Sequence, residues 1–200
     1  MSSLLALLAL LSSAAAAPAA TSTCSSIAYG YLNADTYVYS DPLSLVNNTL
    51  TFAPALYDAM PPIQFQTCSP NHEGYSNVDT GVNGTYAGHL YIPTLDLCLG
   101  VADTNSVQPY TVTATSCPYT DNSAQDAFNW VMKNQTIYWG GKTHASGSPI
   151  QGGDSCPDLG LFGYQGNDVA IPSVIGTTPL ICGSWADVYG FIILPIGYTR

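Results

Sequence analysis

Residues 88–139 read GHLYIPTLDLCLGVADTNSVQPYTVTATSCPYTDNSAQDAFNWVMKNQTIYW, and this stretch decides the fold class. It contains four short apolar or alternating runs: Gly88–Ile92, Leu95–Val101, Tyr110–Cys117 and Phe128–Trp139. Turn formers separate them at Pro93-Thr94, Asp103-Thr104-Asn105-Ser106 and Pro118–Asn122. No apolar spacing of three and four residues intervenes, so the stretch predicts four β-strands, with Asp121–Ala127 a short segment, under three turns long, that could be helical. Cys98 falls inside the second strand and Cys117 ends the third, so a disulfide between them would clip neighbouring strands.

Outward from this unit the chain keeps the same texture. Upstream, Gly30-Tyr31-Leu32, Tyr37-Val38-Tyr39, Leu50-Thr51-Phe52 and Ile63–Cys68 are strand material, broken at Asp41-Pro42, Asn47-Asn48 and Met60-Pro61-Pro62. Downstream, Leu159–Tyr164, Pro179–Cys182 and Tyr189–Leu194 are strands beyond a Gly/Ser-rich stretch. Aligned on the central unit, opening strands fall at Gly30, Gly88 and Thr136, and second strands at Leu50–Phe52, Leu97–Leu99 and Leu161–Gly163. Third strands end at Cys68, Cys117 and Cys182, and closing strands lie near Tyr75–Val78, Phe128–Val131 and Gly190–Leu194. In the last unit Pro149–Cys156 competes with Pro179–Cys182 for the third strand. Three units of four strands are the plan of an all-β β-trefoil, in which each unit exposes part of a core that the other two cover. In either register Cys98 pairs with Cys117 and Cys156 with Cys182, which leaves Cys24 for Cys68. Spacing without the repeat leaves fifteen connectivities open.

Residues 1–20 form an apolar run followed by small residues, the pattern of a secretory signal peptide; a single domain over 21–200 follows. The run is too short to span a membrane. Six cysteines without a C-x-x-C pair, and scattered His72, His89 and His144, predict disulfides and no metal site. Sequons at Asn47, Asn83 and Asn134 fit a secreted, extracellular glycoprotein. Thirteen acidic residues against three basic ones give a net charge of −10, which argues against nucleic acid as a partner.

Catalytic motifs are fragmentary. Asp79-Thr80-Gly81 matches one half of an aspartic-protease dyad, and no second half exists. Gly153-Asp154-Ser155 lacks the residues that would make Ser155 a nucleophile, and there is no G-x-S-x-G. Neither a calcium loop nor a phosphate-binding glycine loop is present. The chain therefore reads as a non-enzyme without a cofactor.

Cys98-Leu99-Gly100-Val101, the strand ending at Cys117, and Gln125 followed by Phe128 and Trp130 resemble the ricin B-type lectin module of secreted fungal proteins. The resemblance covers roughly residues 88–139 and implies a β-trefoil that binds glycans or cell-wall polysaccharide. In that family an aspartate two residues after the first cysteine holds the sugar, with a glutamine, an aromatic and an asparagine around the second. Those positions here are Gly100, Thr113, Thr115 and Ala124, and none matches. Asp103, Asn122 and Gln125 are the nearby candidates for shifted ligands, and Gln64 matches the glutamine position of the first unit. Each also has a plainer role: Asp103 as a turn residue, Gln125 as a turn brace, and Trp130 as core. The alternative is a trefoil whose sugar sites are lost, acting as a structural, protein-binding or protease-inhibitor module.

Overall fold

The computed structural model describes residues 21–35, 40–52, 60–69, 85–143, 149–150, 161–165, 176–182 and 188–198. These form an all-β structure. Its strands are β1 (Thr23–Asp35), β2 (Ser40–Val46), β3 (Thr49–Phe52), β4 (Ile63–Ser69), β5 (Thr85–Ile92), β6 (Leu97–Val101), β7 (Val112–Thr115) and β8 (Trp130–Lys133). After them come β9 (Thr136–Trp139), β10 (Lys142–Thr143), β11 (Pro149–Ile150), β12 (Phe162–Gln165), β13 (Gly176–Thr177), β14 (Leu180–Cys182), β15 (Val188–Tyr189) and β16 (Phe191–Leu194). Among the described residues a 3-10 stretch, Ser123–Phe128, interrupts them. Among the described residues no helix is long and apolar enough to cross a membrane.

Six strands pair antiparallel in a closed ring: β1 with β4, β4 with β5, β5 with β8, β8 with β9, β9 with β16, and β16 back to β1. Closure leaves no free edge in this ring. Three antiparallel pairs, β2 with β3, β6 with β7 and β12 with β14, extend from it. These pairs also touch each other. Thr49 of β3 pairs with Thr113 of β7, Tyr110 bridges to Leu180 of β14, and β13 returns to β3.

The alternation seen in the sequence becomes burial. Along β4, Ile63 and Phe65 are fully buried while Gln64 and Gln66 are partly exposed. All three hairpins feed one core: Leu43, Leu50 and Phe52 from the first, Leu99 and Val112 from the second, Phe162, Tyr164 and Leu180 from the third. Trp130, Trp139 and Phe191 join them from the ring. Trp130 is fully buried and its Nε1–H donates to Leu99 O at 2.7 Å, so the indole packs and stays satisfied. Edge-to-face rings, with Tyr110 4.9 Å from Trp139 and 5.4 Å from Phe162, complete the interior. Gly88 permits a close strand approach, since a Cβ there would lie 1.7 Å from Gln66 O.

The observed elements correct part of the expected frame. In the central stretch the first three strands lie where expected, the third ending at Thr115, two residues before Cys117. The run Phe128–Trp139 is split: Phe128 ends the 3-10 stretch, and β8 and β9 flank a turn at Asn134-Gln135. In the first unit, β2 occupies the second-strand place, so Leu50–Phe52 is third and Ile63–Cys68 closes the unit against β1. Tyr75–Val78 lies outside the described residues. In the last unit Pro179–Cys182 wins over Pro149–Cys156, because Leu180–Cys182 pairs with β12 while Pro149-Ile150 pairs with β10. Disulfides join Cys24 to Cys68 and Cys98 to Cys117. Cys182 is disulfide-bonded too, and Cys156 lies outside the described residues.

Candidate functional site

The outer face of the ring is where polar and aromatic side chains gather. Directly opposed residues of antiparallel strands share a face. Tyr29 of β1 opposes Gln64 of β4, and Gln64 opposes Tyr91 of β5. A β-bulge between Ser26 and Ala28 shifts the alternation of β1 by one. Cys24, Ser26 and Tyr29 therefore share one face with Gln64, Gln66 and Cys68.

Over one end of this face the chain folds back. Thr21 bridges to Thr120, and Ser22 N–H donates to Tyr119 O at 2.6 Å. The result is a shallow cleft of about 420 Å³ lined by Thr21, Ser22, Thr23, Cys24, Gln66, Tyr91 and Tyr119. Beside it, the Tyr91 hydroxyl donates to Asp96 Oδ1 at 3.0 Å, which pushes the Tyr91 phenol above its ordinary range. Burial, and then the Asp96 charge, push Tyr119 upward as well. Both phenols are thus neutral at physiological pH. The cleft offers two ring faces, the Gln66 amide, hydroxyls and a nearby carboxylate, groups suited to a neutral polyol.

His89 lies beneath. It is fully buried, with Nδ1 3.7 Å from Cys68 Sγ and the rings of Tyr119 and Phe128 at 5.9 and 6.1 Å. Burial pushes its pKa down to about 4, so the imidazole is neutral. The Gln125 amide acts in the opposite direction and is outweighed by burial. Cys24 Sγ, Cys68 Sγ and a His89 nitrogen lie within 4.8 Å of one another. The disulfide consumes both sulfurs, so this grouping offers no thiolates to a cation.

The four residues singled out from sequence do not converge on one site, and none of them lines the cleft. Gln64 lies on the outer face, its Oε1 accepting from Gln66 Nε2 at 3.0 Å. Asn122 caps the 3-10 stretch, its Oδ1 accepting from Ala124 N–H at 3.0 Å. Gln125 is fully buried under the cleft, its Nε2 donating to Thr120 O at 2.8 Å and Ser22 Oγ at 3.2 Å. It braces the strap that forms one wall. Asp103 stands apart in the β6–β7 loop, its Oδ1 accepting from Asn105 N–H and its carbonyl from Ser106 Oγ, both at 2.8 Å.

Gly100, where the lectin pattern carries its aspartate, is occupied in a different way. A Cβ there would lie 2.8 Å from Phe128 Cδ1 and Cε1 and 3.1 Å from Ala127 O. Phe128 and the Ala127 carbonyl leave no room for a side chain at this position. Asn47 and Asn134 sit at exposed two-residue turns, each with positive φ at both central residues, and Asn83 lies outside the described residues.

Tyr91, Tyr119, Gln66 and Asp96 were not singled out from sequence. The chain carries 14 tyrosines, and only strand register and the Thr21–Thr120 bridge select these two. Comparison with protein-family models, with curated proteins and with solved structures finds no match to this chain.

Proposed function

We propose that the chain is a secreted, non-catalytic carbohydrate-binding protein built as a ricin B-like β-trefoil. The signal peptide is 1–20, and the cleft between Tyr91 and Tyr119 is the sugar site. The observation that carries this reading is the convergence of two tyrosines and the Gln66 amide in one open cleft, with Asp96 held on the Tyr91 hydroxyl. A sugar ring needs an apolar face to stack on and amide or carboxylate groups to bridge its hydroxyls. The closed six-strand ring, and three hairpins that feed one core and touch each other, support the trefoil plan. Disulfides support an extracellular location, and exposed Asn47 and Asn134 suit N-glycans.

A neutral-glycan array followed by calorimetry tests the site. Binding to at least one neutral glycan, weakened at least tenfold by Tyr119→Ala and by Asp96→Asn, is the expected result. Absence of binding to any neutral glycan counts against it.

A second reading, a protease inhibitor, draws on Val107, which is 71% exposed in the β6–β7 loop. Asp103, Asn105 and Ser106 brace that loop internally, and Lys142 Nζ donates to Asn105 Oδ1. A small aliphatic side chain on a braced loop suits the narrow specificity pocket of an elastase-type protease. Inhibition of such a protease that is lost in Val107→Asp would favour this reading over the first.

A further inference from the structure

We propose that the row Tyr29–Gln64–Tyr91 is a platform for a flat, neutral β-linked polysaccharide of the cellulose and chitin type, a ligand class that rests on the carbohydrate reading above. The three residues are successive cross-strand neighbours on β1, β4 and β5. Tyr29 is 51% exposed and Tyr31, two residues along the same strand face, is 38% exposed. Adjacent strands lie about 4.8 Å apart, which sets Tyr29 and Tyr91 about 10 Å apart across two strand spacings. That distance is close to the length of a disaccharide. In a ribbon-like β-linked chain the same ring face recurs once per disaccharide. Two tyrosines at this spacing therefore meet equivalent faces of alternate sugars, while Gln64 lies under the sugar between them.

Gln64 suits that place. Its Oε1 is held by Gln66 Nε2, which leaves its –NH2 group to donate to hydroxyls. Gln66 and Tyr91 also line the cleft, so platform and cleft are continuous. No member of the row carries a charged side chain. The net charge of −10 disfavours acidic polysaccharides, and a neutral polymer has no such penalty. A row of tyrosines on the outer face of the ring favours a polymer already held rigid in a surface, because a flexible chain would lose more conformational freedom on docking.

The test is depletion of the intact, disulfide-bonded protein by microcrystalline cellulose, by chitin and by granular starch, whose α-linked chains coil. Wild type is expected on cellulose or chitin and not on starch. Tyr29→Ala is expected to bind the retaining polymer about tenfold more weakly, from loss of one stacked ring. Tyr29→Phe, which keeps the ring, is expected to match wild type. Tyr29 does not line the cleft, so binding of a monosaccharide at Tyr91 and Tyr119, too short to reach Tyr29, is expected to survive Tyr29→Ala. Equal retention of wild type and Tyr29→Ala, or retention by starch alone, overturns the platform. Soluble sugar binding without retention on either flat polymer overturns the platform and leaves the carbohydrate reading standing. Absence of both overturns the two together.

Discussion

His89 ties the stability of the cleft floor to pH. The imidazole is fully buried, and burial lowers its pKa from 6.5 to about 4. In the unfolded chain it takes a proton as the pH falls through 6.5, while in the folded protein it resists until about 4. Between those values the unfolded state binds more protons, so stability is full above pH 6.5 and declines as the pH drops. A tenfold difference in proton affinity between the two states is worth about 1.4 kcal/mol, so the loss from this residue is about 2 kcal/mol at pH 5 and about 3 kcal/mol at pH 4. The perturbation is His89→Gln, which keeps a polar side chain under Gln125 without a titrating ring. Urea unfolding of both proteins at pH 7 and pH 5 is the assay, kept above the sequence pI of about 4.1 to avoid precipitation. Other titrating groups are common to the two, so the informative quantity is the difference between their losses. Wild type should lose about 2 kcal/mol more than His89→Gln between the two pH values. Equal losses would refute the buried neutral imidazole, whatever the variant costs at pH 7.

Other consequences follow from the same structure. Replacing Cys98 and Cys117 by alanine frees a loop with a sequence separation of 19, and should cost about 3 kcal/mol in urea unfolding. The Cys24–Cys68 pair, with a separation of 44, should cost about 4 kcal/mol. Trp130→Phe removes the donor to Leu99 O and leaves a void among Phe191 and its neighbours, for a loss of about 2–4 kcal/mol by the same measurement. Gln135→Gly should raise stability by about 1 kcal/mol, because Gln135 holds φ +70 in the two-residue β8–β9 turn and glycine adopts that conformation freely.

What was legible in the sequence was what local pattern controls. Alternation in Ile63–Cys68 and in the 88–139 stretch gave strands, turn formers gave hairpins, and Trp130 reads as core from its place in a closing strand. The Cys98–Cys117 link followed because both cysteines belong to one unit. The frame of the first unit was less legible because Ile63–Ser69 is assigned by its partners β1 and β5, and pairing across such separations leaves no trace in composition. The bulge at Ile27 decides that Tyr29 faces outward beside Gln64, and nothing in Ser26-Ile27-Ala28 announces it. The lectin resemblance drew attention to Gly100 and its surroundings, where Phe128 leaves no room, while the tyrosine cleft forms one strand away. His89 offered no signal either, since its burial comes from Tyr119 and Phe128, about thirty to forty residues later in the chain.

The most direct measurement is amide chemical-shift mapping while a soluble cello- or chito-oligosaccharide is titrated into the protein. Saturable shifts gathered at Thr21–Cys24, Gln66, Tyr91 and Tyr119 are the predicted result. Saturating sugar that leaves those amides unmoved, or shifts confined to the Asp103–Gln108 loop, would contradict the cleft as the site of binding.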